Sequence, residues 1–208
     1  GEARLVGAYS EILRTSRTDD ETLDGDVAAV ALMRFVAWSS TTKNLTVLTE
    51  ITHALRPYSE EIAESVDGVL DIALGAAAVM DARREAFDAE RSLSKPENVL
   101  DVLDTQSFRS ALYYSREVFA AIAAAAASRS PAAAESYVDF LSKIDCSRDT
   151  LIAVLLEESS KFIATPEGLR LVLPELFTAM VGTSTLVRAS AAETLGRAGR
   201  KRSDDLPQ

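Results

Sequence analysis

The side chains able to do chemistry in this chain are abundant in one class and nearly missing in the others. There is one cysteine, Cys146, and one histidine, His53, against 32 Asp and Glu. A disulfide within the chain is impossible, and a zinc site built from Cys and His has too few ligands. Cys146 precedes a helix start, where a thiolate would be favoured, but no histidine lies near it in sequence. No Gly-x-Gly-x-x-Gly or Gly-x-x-x-x-Gly-Lys-Ser/Thr loop is present to cradle a phosphate. Carboxylates are therefore the only plentiful reactive groups.

Their spacing bears on two metal chemistries. Glu60, Glu64, Asp67 and Asp71 follow at i, i+4, i+7 and i+11, one face of a helix. A helical di-metal centre uses such a spacing, but with Glu-x-x-His pairs, and His53 stands outside any such motif. Aligned on Gly25, the loop 18–26 places Asp20, Asp24 and Asp26 at the first, fifth and seventh positions of a calcium loop. Its twelfth position is then Ala31, where a bidentate Glu is required, so the calcium reading fails. Asp26 is expected to cap the next helix instead. No metal and no cofactor is expected. Nothing singles out two acids as a hydrolytic pair, and the stripe reads as a solvated acidic face or a groove for a basic partner. Tyr113, Tyr114, Phe119 and Trp38 are the residues that could line an apolar ligand pocket, with Arg116 beside the tyrosines.

The elements that must hold these groups are helices. Ala fills 33 of 208 positions, whereas Gly and Pro number 9 and 6, and 47% of residues are hydrophobic against 26% charged. Alanine favours helix, and Gly and Pro punctuate turn-rich β proteins. No strand-like alternation appears. The expected fold is all-α, with roughly nine or ten helices in antiparallel pairs, solenoid-like at the C-terminal end and more bundle-like in the middle. Residues 1–199 read as a single helical domain with a sub-boundary near 92–106, followed by a polar tail at 200–208. No apolar run approaches the ~20 residues of a membrane span. The chain opens on Gly1 without a signal-like stretch, which fits either a removed leader or a piece of a longer protein.

Individual elements follow from periodicity and caps. Helices are expected over 2–14, with Leu5, Ala8, Tyr9 and Ile12 inward, and over 27–38, deeply buried. Thr41 or Thr42 should cap a third that ends at Pro57, with Leu45, Leu48, Ile51 and Leu55 inward and His53 on the surface. Residues 59–91 read as one long helix, or two broken at Gly75. Ile62, Val66, Val69, Ala73, Ala76 and Met80 form its buried face. Glu60, Glu64, Asp67, Asp71, Asp81, Glu85 and Asp88 lie opposite. Gly68, Gly75, Ala82 and Ala89 recur every seven residues and suggest a close helix crossing. A short helix to Leu103, then helices over 108–127, from Pro131 to Ile144, 151–163, 167–181 and 185–197, complete the series.

Charge is unevenly spread. Residues 1–104 carry a net charge of -10 and residues 105–208 of zero. The acidic half disfavours nucleic acid. The one dense basic cluster, Arg197, Arg200, Lys201 and Arg202, sits where a helix dipole favours cations. The single free cysteine suits a reducing intracellular compartment.

The last two helices run from Glu167 through Pro174 to Gly182, then from Thr183 through Val187-Arg188 and Ala191-Ala192-Glu193-Thr194-Leu195-Gly196 to Gly199. This segment resembles one HEAT repeat of the HEAT/armadillo class and covers 33 of the 208 residues. Pro131–Ile163 reads as a degenerate second one. The resemblance implies stacked helix pairs that act as scaffolds or adaptors. The expected function is a non-enzymatic scaffold or adaptor subunit of a larger assembly. It would offer the acidic face (Glu60, Glu64, Asp67, Asp71) and the basic end (Arg197, Arg200, Lys201, Arg202) to protein partners, the former to basic surfaces. Two alternatives stand beside it, a ligand-binding or regulatory module with an apolar pocket and an all-α enzyme using carboxylates.

Overall fold

The structure, a computed structural model, describes residues 1–18, 22–93, 96 and 98–204, the last four as helix backbone only. Among these residues the chain is all-α. Its only β feature is an isolated antiparallel bridge between Arg17 and Leu23. No helix is long and apolar enough to cross a membrane. The chain forms two compact units, Gly1–Phe119 and Ala120–Gln208.

The first unit holds α1 (Glu2–Thr15), α2 (Gly25–Thr41), α3 (Leu45–Leu55), α4 (Ser59–Ser65), α5 (Val69–Ser92) and the start of α6 (Val99–Ala127). A 3-10 turn, Arg56–Tyr58, joins α3 to α4 around Pro57. Helix α1 packs on α2 and α3, and α2 also meets α4 and α5. The side chains of α1 that enter the core are Val6 and Leu13, while Leu5 and Ile12 stay in solvent. The expected face was thus rotated by one residue. Both sets have helical spacing, and contact with α2 and α3 decides between them.

Helix α2 is capped by Asp24, whose Oδ1 accepts from the Val27 N–H at 3.1 Å. The expected cap, Asp26, falls inside the helix as an exposed first-turn acid. Nor is α2 buried all round, since Val30 and Met33 are exposed. Helix α3 begins later than expected because Asn44, not Thr41 or Thr42, supplies its cap, accepting from Thr46 N–H at 2.9 Å. Leu48, Ile51 and Leu55 are buried and His53 is exposed, as expected, while Leu45 is only half-buried.

The segment 59–91 is two helices, broken at Gly68 rather than Gly75. Gly68 has φ +67, a left-handed conformation that a side chain would strain. Yet the projected core face survives the break. Ile62, Val66, Val69, Ala73, Ala76 and Met80 are all buried. The opposite line does not hold throughout, because Asp81 is completely buried. Gly75 faces open space, so no helix crosses there.

Helix α6 runs unbroken through the segment where a short helix and a new cap at Ser107 were expected. Antiparallel pairing with α5 sustains it. Arg91 meets Asp101 and Arg109 meets Asp88, each at 3.1 Å, and the Phe87 and Phe108 rings stand 5.0 Å apart. From Ala82 to Ser92 and from Val99 to Ser110 no residue is fully buried. These stretches form a two-helix arm.

In the second unit, Ala120–Ala127 of α6 is buried throughout except for the partly exposed Ala121. Next come α7 (Pro131–Ser142), α8 (Asp149–Glu158), α9 (Pro166–Val181) and α10 (Thr185–Asp204). Ser130 and Thr165 cap α7 and α9, each followed by a proline at the first helical position. Helix α7 packs on α9, α8 on α10, and α9 on α10. Val187 is buried, and the Arg188 Nη1 donates to the carbonyls of Gly182 and Thr183, both at 2.8 Å, closing the turn between α9 and α10. Ser190 Oγ and Thr194 Oγ1 tie α10 to α8 through Glu157 Oε1 and the Leu156 carbonyl.

Candidate functional site: the arm of the first unit

Two features of the first unit stand out chemically, a sealed ion pair at the root of the arm and an open groove along its side. At the root, Arg116 Nη1 donates to Asp81 Oδ1 at 2.5 Å, and both side chains are cut off from water. Arg84 lies 3.9 Å from the same carboxylate. The Tyr113 ring stacks over the Arg116 guanidinium at 4.7 Å. On the residue before Arg116, the Ser115 hydroxyl bonds that of Thr52 at 3.1 Å inside the core. Arg116 Nε and Nη2 have no hydrogen-bond acceptor among the described residues. A buried pair of this kind adds little net stability, because the cost of desolvating both charges offsets their attraction. Sequence reading offered Arg116 to a ligand and Asp81 to solvent, and the fold turns each toward the other.

The groove, of about 860 Å³, runs between α5, α6 and the start of α3. Phe87, Phe108, Leu45, Leu112 and Ala86 supply its apolar surface. Charged groups sit at its two ends, Lys43 and Arg83 at one, and Glu90, Arg91 and Asp104 at the other. Arg83 reaches two backbone carbonyls at the end of α2, both of buried residues. Its Nη1 contacts Ser39 O, and its Nη2 donates to Thr42 O at 2.6 Å. Partial burial holds its basicity below the ordinary arginine value. Arg91 is occupied by Asp101 and packs over Phe87.

The four aromatic residues that could line an apolar pocket lie in different surroundings. Trp38 packs with Tyr9 and Phe35 between α1 and α2, Phe119 is buried, and Tyr113 with Tyr114 is partly exposed on α6. None of the four lines the groove. That surface was missed because the pairing of residues 83–91 with 101–112 is long-range and leaves no local pattern.

The acidic stripe is divided. Glu60 and Glu64 lie on α4, Asp67 in the break and Asp71 on α5, all exposed. In α10, Arg197 pairs with Glu193 at 2.7 Å. The side chains of Lys201 and Arg202 lie outside the described residues, as does Asp20 of the rejected calcium loop. No group of three or more His, Cys, Asp or Glu among the described residues converges on a metal-sized space. Cys146 is exposed and borders a smaller cleft of about 280 Å³ between the α7–α8 loop, α9 and α10. Comparison with models of protein families, with curated proteins and with solved structures returns no match for this chain.

Proposed function

We propose that the chain is a non-enzymatic helical scaffold or adaptor subunit that meets other proteins through its helix faces. The observation that carries this reading is the outer face of the arm. Val99 and Leu103, one turn apart on α6, are 74% and 55% exposed. Large aliphatic side chains held at such exposure by a folded helix suit a surface that a partner covers. The acidic residues Glu60, Glu64, Asp67 and Asp71 would receive a basic surface, and Arg197 and Arg200 lie in the opposite half of the chain.

The HEAT-like reading of the C-terminal helices belongs to the same proposal. In a stacked array the first helices of successive pairs pack together, and so do the second ones. Packing of α7 on α9 and of α8 on α10 supports that arrangement. So does the division of labour in the Val-Arg pair, with Val187 in the core and Arg188 on the turn carbonyls. A second reading, a ligand-binding module, draws on the groove, whose volume lies within the range of small-molecule sites.

The test is the size of the protein in native extract beside that of the purified chain. The scaffold reading expects a larger species that Val99→Asp with Leu103→Asp returns to the free size while the purified variant keeps its helical spectrum. A native species no larger than the purified chain overturns it.

A further inference from the structure

The groove along the arm carries an inference that goes beyond the scaffold reading. Its charges are segregated by sign. At the root end stand Lys43 and Arg83. At the tip end stand Glu90 and Asp104, with Arg91 already neutralised by Asp101. Lys43, Glu90 and Asp104 make no ion pair among the described residues. Residues 83 and 91 are about 12 Å apart along α5 at 1.5 Å per residue, too far for one compact anion or cation to satisfy both ends. An occupant must be long, apolar on one side, and acidic where the groove is basic.

We propose that the occupant is a second copy of this chain, lying antiparallel across the groove about a two-fold axis. A two-fold interface brings residue i to j and j to i. The root of each copy therefore meets the tip of the other, and the polarity that any other partner would have to match is supplied by symmetry. Two helical hairpins joined in this way make a four-helix bundle. The packing surface suits it. Ala82, Ala86 and Ala89 are exposed on α5, so a neighbouring backbone can come close. Leu93 and Leu100, 89% and 70% exposed at the tip, gain the cover that the single chain leaves off.

Sedimentation equilibrium of the purified full chain tests the proposal. The wild type is expected to dimerise at concentrations up to about 100 µM, the weak end of useful association. Lys43→Glu should weaken the dimer about tenfold, the scale of rim charge reversal at two symmetric sites. Glu90→Lys with Asp104→Lys should abolish it, since both ends are then basic. The decisive sample is the equimolar mixture of the two variants, expected to form a mixed dimer tighter than either variant forms alone. That result cannot come from misfolding of either chain. A monomeric wild type, or a dimer indifferent to these reversals, overturns the proposal. Neither outcome bears on the scaffold reading, which is judged in native extract by substitutions on the other face of the arm.

Discussion

Asp81 and Arg116 lie thirty-five residues apart in the chain and 2.5 Å apart in the fold, both sealed from water. Two of the arginine's nitrogens, Nε and Nη2, find no acceptor among the described residues, so the carboxylate is the principal compensation for a buried cation. Removing it strands the charge. Asp81→Leu is expected to cost about 3–5 kcal/mol in chemical denaturation, the range for one missing partner of a buried pair. Arg116→Met should cost less, because Arg84 remains 3.9 Å from Asp81. The double replacement should be less harmful than Asp81→Leu alone, since no buried charge is then left uncompensated. Equal losses for the two single variants would contradict this account.

Tyr137 links the second unit's stability to alkaline pH. Its hydroxyl donates to the Leu155 carbonyl at 2.7 Å, and its ring meets Phe162 at 5.2 Å. Burial first, and the charge of Glu158 second, push the phenol well above its ordinary value. The sign follows from linkage. The folded state holds the proton that the unfolded chain releases near pH ~10, so stability is intact below that pH and falls as pH rises beyond it. Absorbance of ionised tyrosine should show one of the five tyrosines titrating only together with loss of helix. Tyr137→Phe should remove that step while lowering stability at neutral pH by about 1 kcal/mol for the lost hydrogen bond.

Glycine-to-alanine changes at two positions should move stability in opposite directions. Gly75 lies mid-helix facing open space, so Gly75→Ala is expected to raise stability by roughly 0.5–1 kcal/mol through helix propensity. At Gly168 a Cβ would run into the Phe162 carbonyl, a backbone atom that cannot swing aside. Gly168→Ala should therefore destabilise the α8–α9 connection, by about 1–3 kcal/mol on the scale of overpacking. Thermal melts of the two variants give the comparison directly. A loss at Gly75 would mean that its exposed face is covered in solution.

How far the sequence could be read varied with the range of the interaction. The helix start at Pro131 and the break before Glu167 were legible because a proline and its neighbours settle a helix boundary within a few residues. The buried face from Ile62 to Met80 was legible as well, since its apolar spacing carries across the break at Gly68. Asp81 was not. Its carboxylate stands beside that apolar face, and its burial rests chiefly on an arginine from the distant helix α6. The inward face of α1 was placed one residue off, for both Leu5–Ile12 and Val6–Leu13 have helical spacing.

Composition and periodicity alone were enough to make this an all-α chain with its acidic excess in the first half, because helix propensity and charge are properties of residues and near neighbours. They could also exclude Cys–His zinc sites and phosphate loops, which need residue types or spacings the chain lacks. Tertiary structure decided the rest. It joined 99–127 into one helix, turned Asp81 and Arg116 inward, packed Trp38 against Tyr9 and Phe35, and laid cations and acids at opposite ends of one groove. Each of these depends on which distant segment packs alongside, a choice made by the shared burial of many side chains and written in no local pattern.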